Sequence, residues 1–194
     1  PGDFIPLAEY LGLITSIGDY VLEEACRQCR YWNEHGMPDF HINVNLSVVQ
    51  LLQKDIVDTV AKVLKRTGVN PVNIVLEITE SFAINDMDRV LDIIKGIKKL
   101  GPRIALDDFG TGYSSLNYLR MLPLRQLKID RAFVEHITDN PRDLAIVKTI
   151  IALAAALELN VVAEGVETQA QFQLLKDNGC TAFQGYYFGR PEAL

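Results

Sequence analysis

Six short apolar runs, each separated from the next by a stretch with helical periodicity, constrain this chain more than any other feature. They cover residues 42–46, 72–80, 104–108, 126–130, 161–167 and 182–188. None is joined to the next by a two-residue turn of the Asn-Gly kind, so no hairpin is predicted. Strands that alternate strictly with helices pair in parallel, because the chain has to cross back over the sheet before it can add the next strand. The fold class read from this pattern is α/β. Connections this regular suit either an open sheet or a closed (β/α)8 barrel.

The intervening stretches carry their own boundaries. Residues 4–9 lead into an amphipathic segment that runs to about Trp32, with Ile17, Tyr20, Val21, Leu22, Ala25 and Cys29 at helical spacing. Ser47 is placed to cap a helix through Lys65, which Gly68 closes. Further helices are expected over 86–100, 114–120, 139–158 and 168–178. The length of 194 residues fits one domain.

Polar groups recur late in the strands: Asn45, Glu77, Asp107 with Asp108, Lys128 with Asp130, Glu164 and Gln184. In a parallel fold all carboxyl ends lie on one side, so these groups converge there. The residues 107–116, Asp-Asp-Phe-Gly-Thr-Gly-Tyr-Ser-Ser-Leu, place two adjacent carboxylates ahead of a glycine-containing loop. Adjacent aspartates repel unless something positive lies beside them. With Asn45 as a neutral oxygen, Glu77, Asp107, Asp108 and Glu164 could hold two hard divalent cations such as Mg²⁺ or Mn²⁺. A two-metal site activates water for in-line displacement at phosphorus. Dications nearby would turn a buried Lys128 into a general base; the alternative is that Lys128 only neutralises the acids or pairs with Asp130.

Other chemistries find little support. A net charge of -6 argues against binding a DNA or RNA polymer. No apolar run reaches transmembrane length, so no membrane contact is expected from this segment. Cys26 and Cys29 lie in a helical pattern without a second pair and read as small apolar residues; with Cys180 they make an odd count that suits a reducing, cytoplasmic compartment. His35, His41 and His136 stand near element boundaries and read as surface residues. There is no Ser-His-Asp set and no Walker sequence.

Several stretches, in order along the whole chain, resemble the EAL domain family of bacterial cyclic di-GMP phosphodiesterases. They are residues 4–14, Asn45-Leu46-Ser47, Leu76-Glu77-Ile78-Thr79-Glu80-Ser81, residues 107–116, Leu127-Lys128-Ile129-Asp130, Ala163-Glu164-Gly165-Val166-Glu167 and Gln184-Gly185-Tyr186. The resemblance implies a TIM-type (β/α)8 barrel with one strand running against the others, and hydrolysis of cyclic di-GMP to linear pGpG at a dinuclear Mg²⁺ or Mn²⁺ site. Asn45, Glu77 and Asp107 match the ligands of one metal; Asp107, Asp108 and Glu164 match those of the other, with Asp107 bridging. The catalytic set it implies is Lys128, Asp130, Glu164 and Glu167, in which Lys128 activates the water and Glu167 steadies a regulatory loop. That loop comprises Phe109, Gly110, Thr111, Gly112, Tyr113, Ser114 and Ser115 and couples the site to a homodimer. Gln184 matches a residue near the substrate guanine.

The family's Glu-Ala-Leu, with a metal-binding glutamate and a following arginine, belongs before Phe4. Glu192-Ala193-Leu194 spells the same letters at the wrong end and reads as chance. The expectation is therefore an N-terminally truncated single domain over 1–194, in which six of eight strand–helix units are visible. A fused sensory or diguanylate cyclase-type domain, and an anchor in the parent chain, are expected outside it. A receptor that binds cyclic di-GMP without turnover, and a phosphodiesterase for another substrate, are the alternatives.

Overall fold

The computed structural model describes residues 2, 4–80, 87–110 and 116–192. The chain folds as two compact units, residues 1–104 with 121–123, and residues 105–120 with 124–194.

In the first unit, α1 (Ile5–Tyr10) and α2 (Ile14–Glu34) precede β1 (Ile42–Asn45), α3 (Val48–Leu51), α4 (Ile56–Thr67), β2 (Ile74–Thr79) and α5 (Met87–Lys99). The long expected stretch up to Trp32 is thus two helices, divided near Gly12, which takes a left-handed φ of 70°. β1 and β2 pair in parallel, with Ile42 opposite Ile74 and Asn45 opposite Glu77. Every residue of β2 from Ile74 to Ile78 is buried. A strand covered on both faces reads as a continuous apolar run, which makes the charge of Glu77 an exception needing a purpose. Helix α4 turns Ile56, Val60, Val63 and Leu64 inward. Cys26 and Cys29 are fully buried on α2, and burial pushes the Cys26 thiol up to about 12, in keeping with their reading as small apolar residues.

Ser47 does cap a helix, but the expected single helix to Lys65 is two. Ser47 and Gln50 form a reciprocal capping box at α3. The side chain of Gln50 then lies against Gly18 of α2, where a Cβ would stand only 1.8 Å from it. Gln53 donates to Thr15 Oγ1 at 2.5 Å. Residues 52–55 are not helical, and Gln53 among them bonds to α2 instead, a long-range contact that no local pattern announces.

The second unit takes in the last five residues of β3 (Arg103–Phe109) and most of α6 (Leu116–Met121), then β4 (Gln126–Ile129), α7 (Arg131–Val134), α8 (Pro141–Ala156), β5 (Asn160–Ala163), α9 (Gln169–Asp177) and β6 (Ala182–Phe183). β3 pairs with β4, β4 with β5 and β5 with β6, all in parallel. β4 is buried on both faces, so Leu127 and Ile129 do not differ from Lys128 in exposure as simple alternation would suggest. Helix α7 was not expected: Asp130, read as the last residue of the strand, caps it by accepting from the Ala132 amide at 2.7 Å. β5 ends at Ala163, four residues short of the expected Glu167, and Gly165 turns the chain with φ 66°. The run 182–188 contributes only two strand residues. Gly185 follows, packed so closely that a Cβ would meet the Val166 carbonyl oxygen at 2.1 Å. Among the described residues no helix is long and apolar enough to cross a membrane.

Candidate active site

The second unit builds its acidic cluster on an irregularity of β3. Leu106 faces Leu127 and Phe109 faces Ile129, so Asp107 and Asp108 together stand opposite Lys128 alone. This is a β-bulge, a device that re-aims side chains. Asp108 completes it with φ 54°, a conformation that Asp tolerates better than most residues. Its amide donates to Asp107 Oδ1 at 3.0 Å. In a regular strand two neighbours point to opposite faces. Here one carboxylate oxygen each from Asp107, Asp108 and Glu164 lies within 4.8 Å of the others. Glu164 comes from the residue after β5, where its amide donates to the Ile129 carbonyl at 3.1 Å.

Lys128 lies beneath this cluster with its side chain only 3% exposed. Its Nζ is 3.1 Å from Asp107 Oδ1 and 2.7 Å from Glu164 Oε1. A buried ammonium is tolerated when paired in this way. Three carboxylates still face one ammonium among these four residues. The strain shows at Asp108, whose carboxyl is pushed up to about 6. Burial is the main cause, followed by the Asp107 charge and a hydrogen bond and repulsion from Asp130; Lys128 pulls the other way. The donors are all hard oxygens on three side chains within 4.8 Å of one another, the type of ligand that divalent hard cations take. The cluster therefore fits a metal ion, and Mg²⁺, Mn²⁺ and Ca²⁺ are the class it suits.

In the first unit, Glu77 is 4% exposed and accepts from Asn43 Nδ2 at 2.7 Å. Asn43 has no place among the expected site residues. Its signal was its position in Asn43-Val44-Asn45, on the same strand face as Asn45. Asn45 is exposed and lines a cavity of about 630 Å³ with Ile14, Ile17 and Leu46. Glu80 is also buried and received no role from its sequence.

The remaining expected residues lie in the second unit or outside the described residues. Glu167 is half-exposed and pairs with Arg131, Nη2 to Oε1 3.1 Å. Gln184 is exposed after β6; its amide donates to the Ala163 carbonyl at 2.8 Å, and its carbonyl accepts from Val166 at 3.1 Å. Phe109 is buried and Gly110 exposed, whereas Thr111, Gly112, Tyr113, Ser114 and Ser115 fall outside the described residues, as does Ser81. His35, His41 and His136 are all exposed.

A family model described as the EAL domain matches residues 1–191. The chain is 49% identical over 191 residues to the bifunctional diguanylate cyclase/cyclic di-GMP phosphodiesterase MucR of Pseudomonas aeruginosa, covering 98% of this chain and 28% of that protein. It is 42% identical to the cyclic di-GMP phosphodiesterase NbdA of the same organism, covering 98% of this chain and 24% of that protein. The chain thus spans about a quarter of the length of these relatives. A solved structure of the MucR phosphodiesterase in complex with c-di-GMP superposes with a TM-score of 0.95 at 49% identity, covering 98% of this chain and 77% of that one. The EAL domain of Mycobacterium smegmatis DcpA superposes with a TM-score of 0.85 at 40% identity, covering 90% and 78%. These likenesses fix the fold as six strand–helix units of a TIM-type barrel.

Proposed function

The chain belongs to the EAL domain family, and from that membership we propose that it hydrolyses cyclic di-GMP to linear pGpG. The observation that carries the proposal is the bulge in β3, which aims Asp107 and Asp108 together at Glu164 above a buried lysine. Adjacent acids brought to one point at the cost of a left-handed aspartate suit cation binding better than a solvated turn.

Asp107, Asp108 and Glu164 would hold a divalent cation, Mg²⁺ or Mn²⁺. Asn45 and Glu77, in the first unit, are assigned to a second on the family resemblance. Two such cations, when bound, lower the pKa of water and balance charge developing at phosphorus. Asn43 fixes the carboxylate of Glu77 through its amide. Asp130, as the cap of α7, anchors the end of the strand that carries Lys128. Lys128, whose Nζ lies 3.1 Å from Asp107 and 2.7 Å from Glu164, would as the neutral amine accept the proton of the attacking water. Gln184, exposed beyond β6, reads the guanine edge. The segment from Phe109 to Ser115 is assigned to regulation, and Glu167 to steadying the chain around the site. MucR is named as bifunctional and is far longer than this chain. By that analogy the parent protein carries a diguanylate cyclase-type domain; a sensory domain, action in the cytoplasm and pairing as a homodimer are assigned on the family resemblance alone.

The test is hydrolysis of cyclic di-GMP by the full-length protein with Mn²⁺ or Mg²⁺, read as pGpG by chromatography. Turnover that is lost in Asp107→Asn supports the proposal. Binding without turnover would make the protein a receptor, and turnover insensitive to Asp107→Asn would end the metal assignment.

A further inference from the structure

Arg131 has no part in the reading above, yet its surroundings are built to receive it. It is the first residue of α7, one position after Asp130 and three after Lys128. Its side chain runs directly across Gly165: a Cβ there would stand 2.4 Å from the Arg131 Cγ and 2.8 Å from its Cβ. Gly165 has φ 66°, so the glycine meets both a backbone demand and a contact demand at once. Beyond Gly165 the Arg131 guanidinium reaches Glu167, 3.1 Å away.

The other end of the same loop is also tied to α7. Gln171, only 6% exposed, accepts from the amides of Glu167 and Thr168 at 2.8 and 2.9 Å through Oε1. Through Nε2 it donates to the carbonyls of Val134 and Glu135 at 3.3 and 3.1 Å. The segment 164–168 is therefore pinned along the whole of α7, and Glu164 is its first residue. An ion pair as exposed as Arg131–Glu167 contributes only about 0–1 kcal/mol to stability. Stability alone does not account for a glycine placed to let this arginine lie flat on the loop.

We propose that Arg131 is a positioning residue: clasped over Gly165 and latched to Glu167, it holds Glu164 at its distance from Lys128. The proposal rests on the reading of Glu164 as a metal ligand in hydrolysis. Outer residues that orient metal ligands typically change metal affinity or activity about 10–100-fold when removed. A half-exposed latch belongs at the low end of that range.

The experiment compares Arg131→Ala, Glu167→Ala, the double variant and Arg131→Lys in the full-length protein. Mn²⁺ affinity is measured by calorimetry without substrate, and kcat and KM for cyclic di-GMP are measured with it. We expect Arg131→Ala to weaken Mn²⁺ binding and lower kcat about 10-fold, with KM within about twofold. Glu167→Ala should match it, the double variant should be no worse than either, and Arg131→Lys should recover most of the loss by keeping the charge and the stem over Gly165. Unchanged Mn²⁺ affinity and kcat in Arg131→Ala would overturn the proposal. A rise in KM alone would also overturn it, because Arg131 would then be touching substrate. If the unaltered protein bound Mn²⁺ without hydrolysing cyclic di-GMP, weaker binding in Arg131→Ala would uphold the positioning role while the proposed activity failed.

Discussion

Replacing Lys128 with methionine removes the ammonium and nearly preserves the volume, so it isolates the electrostatic role of the residue. The ammonium lies 3.1 Å from Asp107 and 2.7 Å from Glu164. At an effective dielectric of about 20 these distances correspond to attractions of about 5 and 6 kcal/mol, most of which offsets the desolvation of the three groups. Removing one member of a buried pair costs about 3–5 kcal/mol, because the partner is left buried and uncompensated. Asp107 and Glu164 keep 11% and 16% side-chain exposure, so water softens the loss and about 3 kcal/mol is expected. For a domain of this size that lowers the melting temperature by about 6–12 °C. The assay is thermal unfolding followed by circular dichroism, in chelator and again in saturating Mn²⁺. With chelator the full deficit should show; with Mn²⁺ it should shrink, since bound cations supply the missing positive charge. Hydrolysis should fall roughly 10²–10⁴-fold even where folding is restored by metal. A melting temperature within about 2 °C of the unaltered protein in chelator would refute the reasoning.

Three further outcomes are expected. Gly185→Ala forces a Cβ to within 2.1 Å of the Val166 carbonyl oxygen and 2.3 Å of its amide nitrogen. It should cost at least about 3 kcal/mol or prevent folding, read by urea denaturation and soluble yield. Glu158, exposed just past α8, holds a left-handed φ of 57°, so Glu158→Gly should stabilise the protein by about 0.5–1 kcal/mol in the same denaturation assay. The Asp108 carboxyl is raised from 3.8 to about 6, so folding favours its protonated form. Its contribution to the metal-free protein is fully present below pH 3.8 and is lost as pH rises through about 6, and Asp108→Asn should flatten that part of the melting-temperature profile.

The element pattern was legible because burial writes itself into composition. β2, covered on both faces, reads as an apolar run broken only by Glu77, β4 as an alternating one, and α4 and α5 as helical stripes. Boundaries were less legible where long-range contacts set them. At the break between α3 and α4, Gln53 bonds to Thr15 of α2 and Gln50 packs on Gly18, contacts that lie far away in sequence. Helix α7 has four residues, too few for periodicity to register. In the site, Glu77, Asp107, Asp108, Lys128 and Glu164 stood out as charges in otherwise apolar runs, whereas Asn43, Arg131 and Gln171 did not, being polar residues in positions where polarity is ordinary.

The sequence by itself determined that the strands run parallel, because no turn between them is short enough for a hairpin, and that the acids gather at the carboxyl ends of those strands. It also carried the motifs that place the chain in its family. It could not determine which way Asp107 and Asp108 point. Period-two alternation sends neighbours to opposite faces, and only the bulge against Lys128, with Asp108 at φ 54°, turns both to one place. Nor could it assign the partners of Lys128, since Asp107, Asp130 and Glu164 are all near in sequence or strand order. The tertiary structure chose Asp107 and Glu164 for the ammonium and gave Asp130 to the amide of Ala132. The physical reason is common to both: alternation and propensity act over a few residues, while bulges and buried charge pairs are settled by what lies across the sheet.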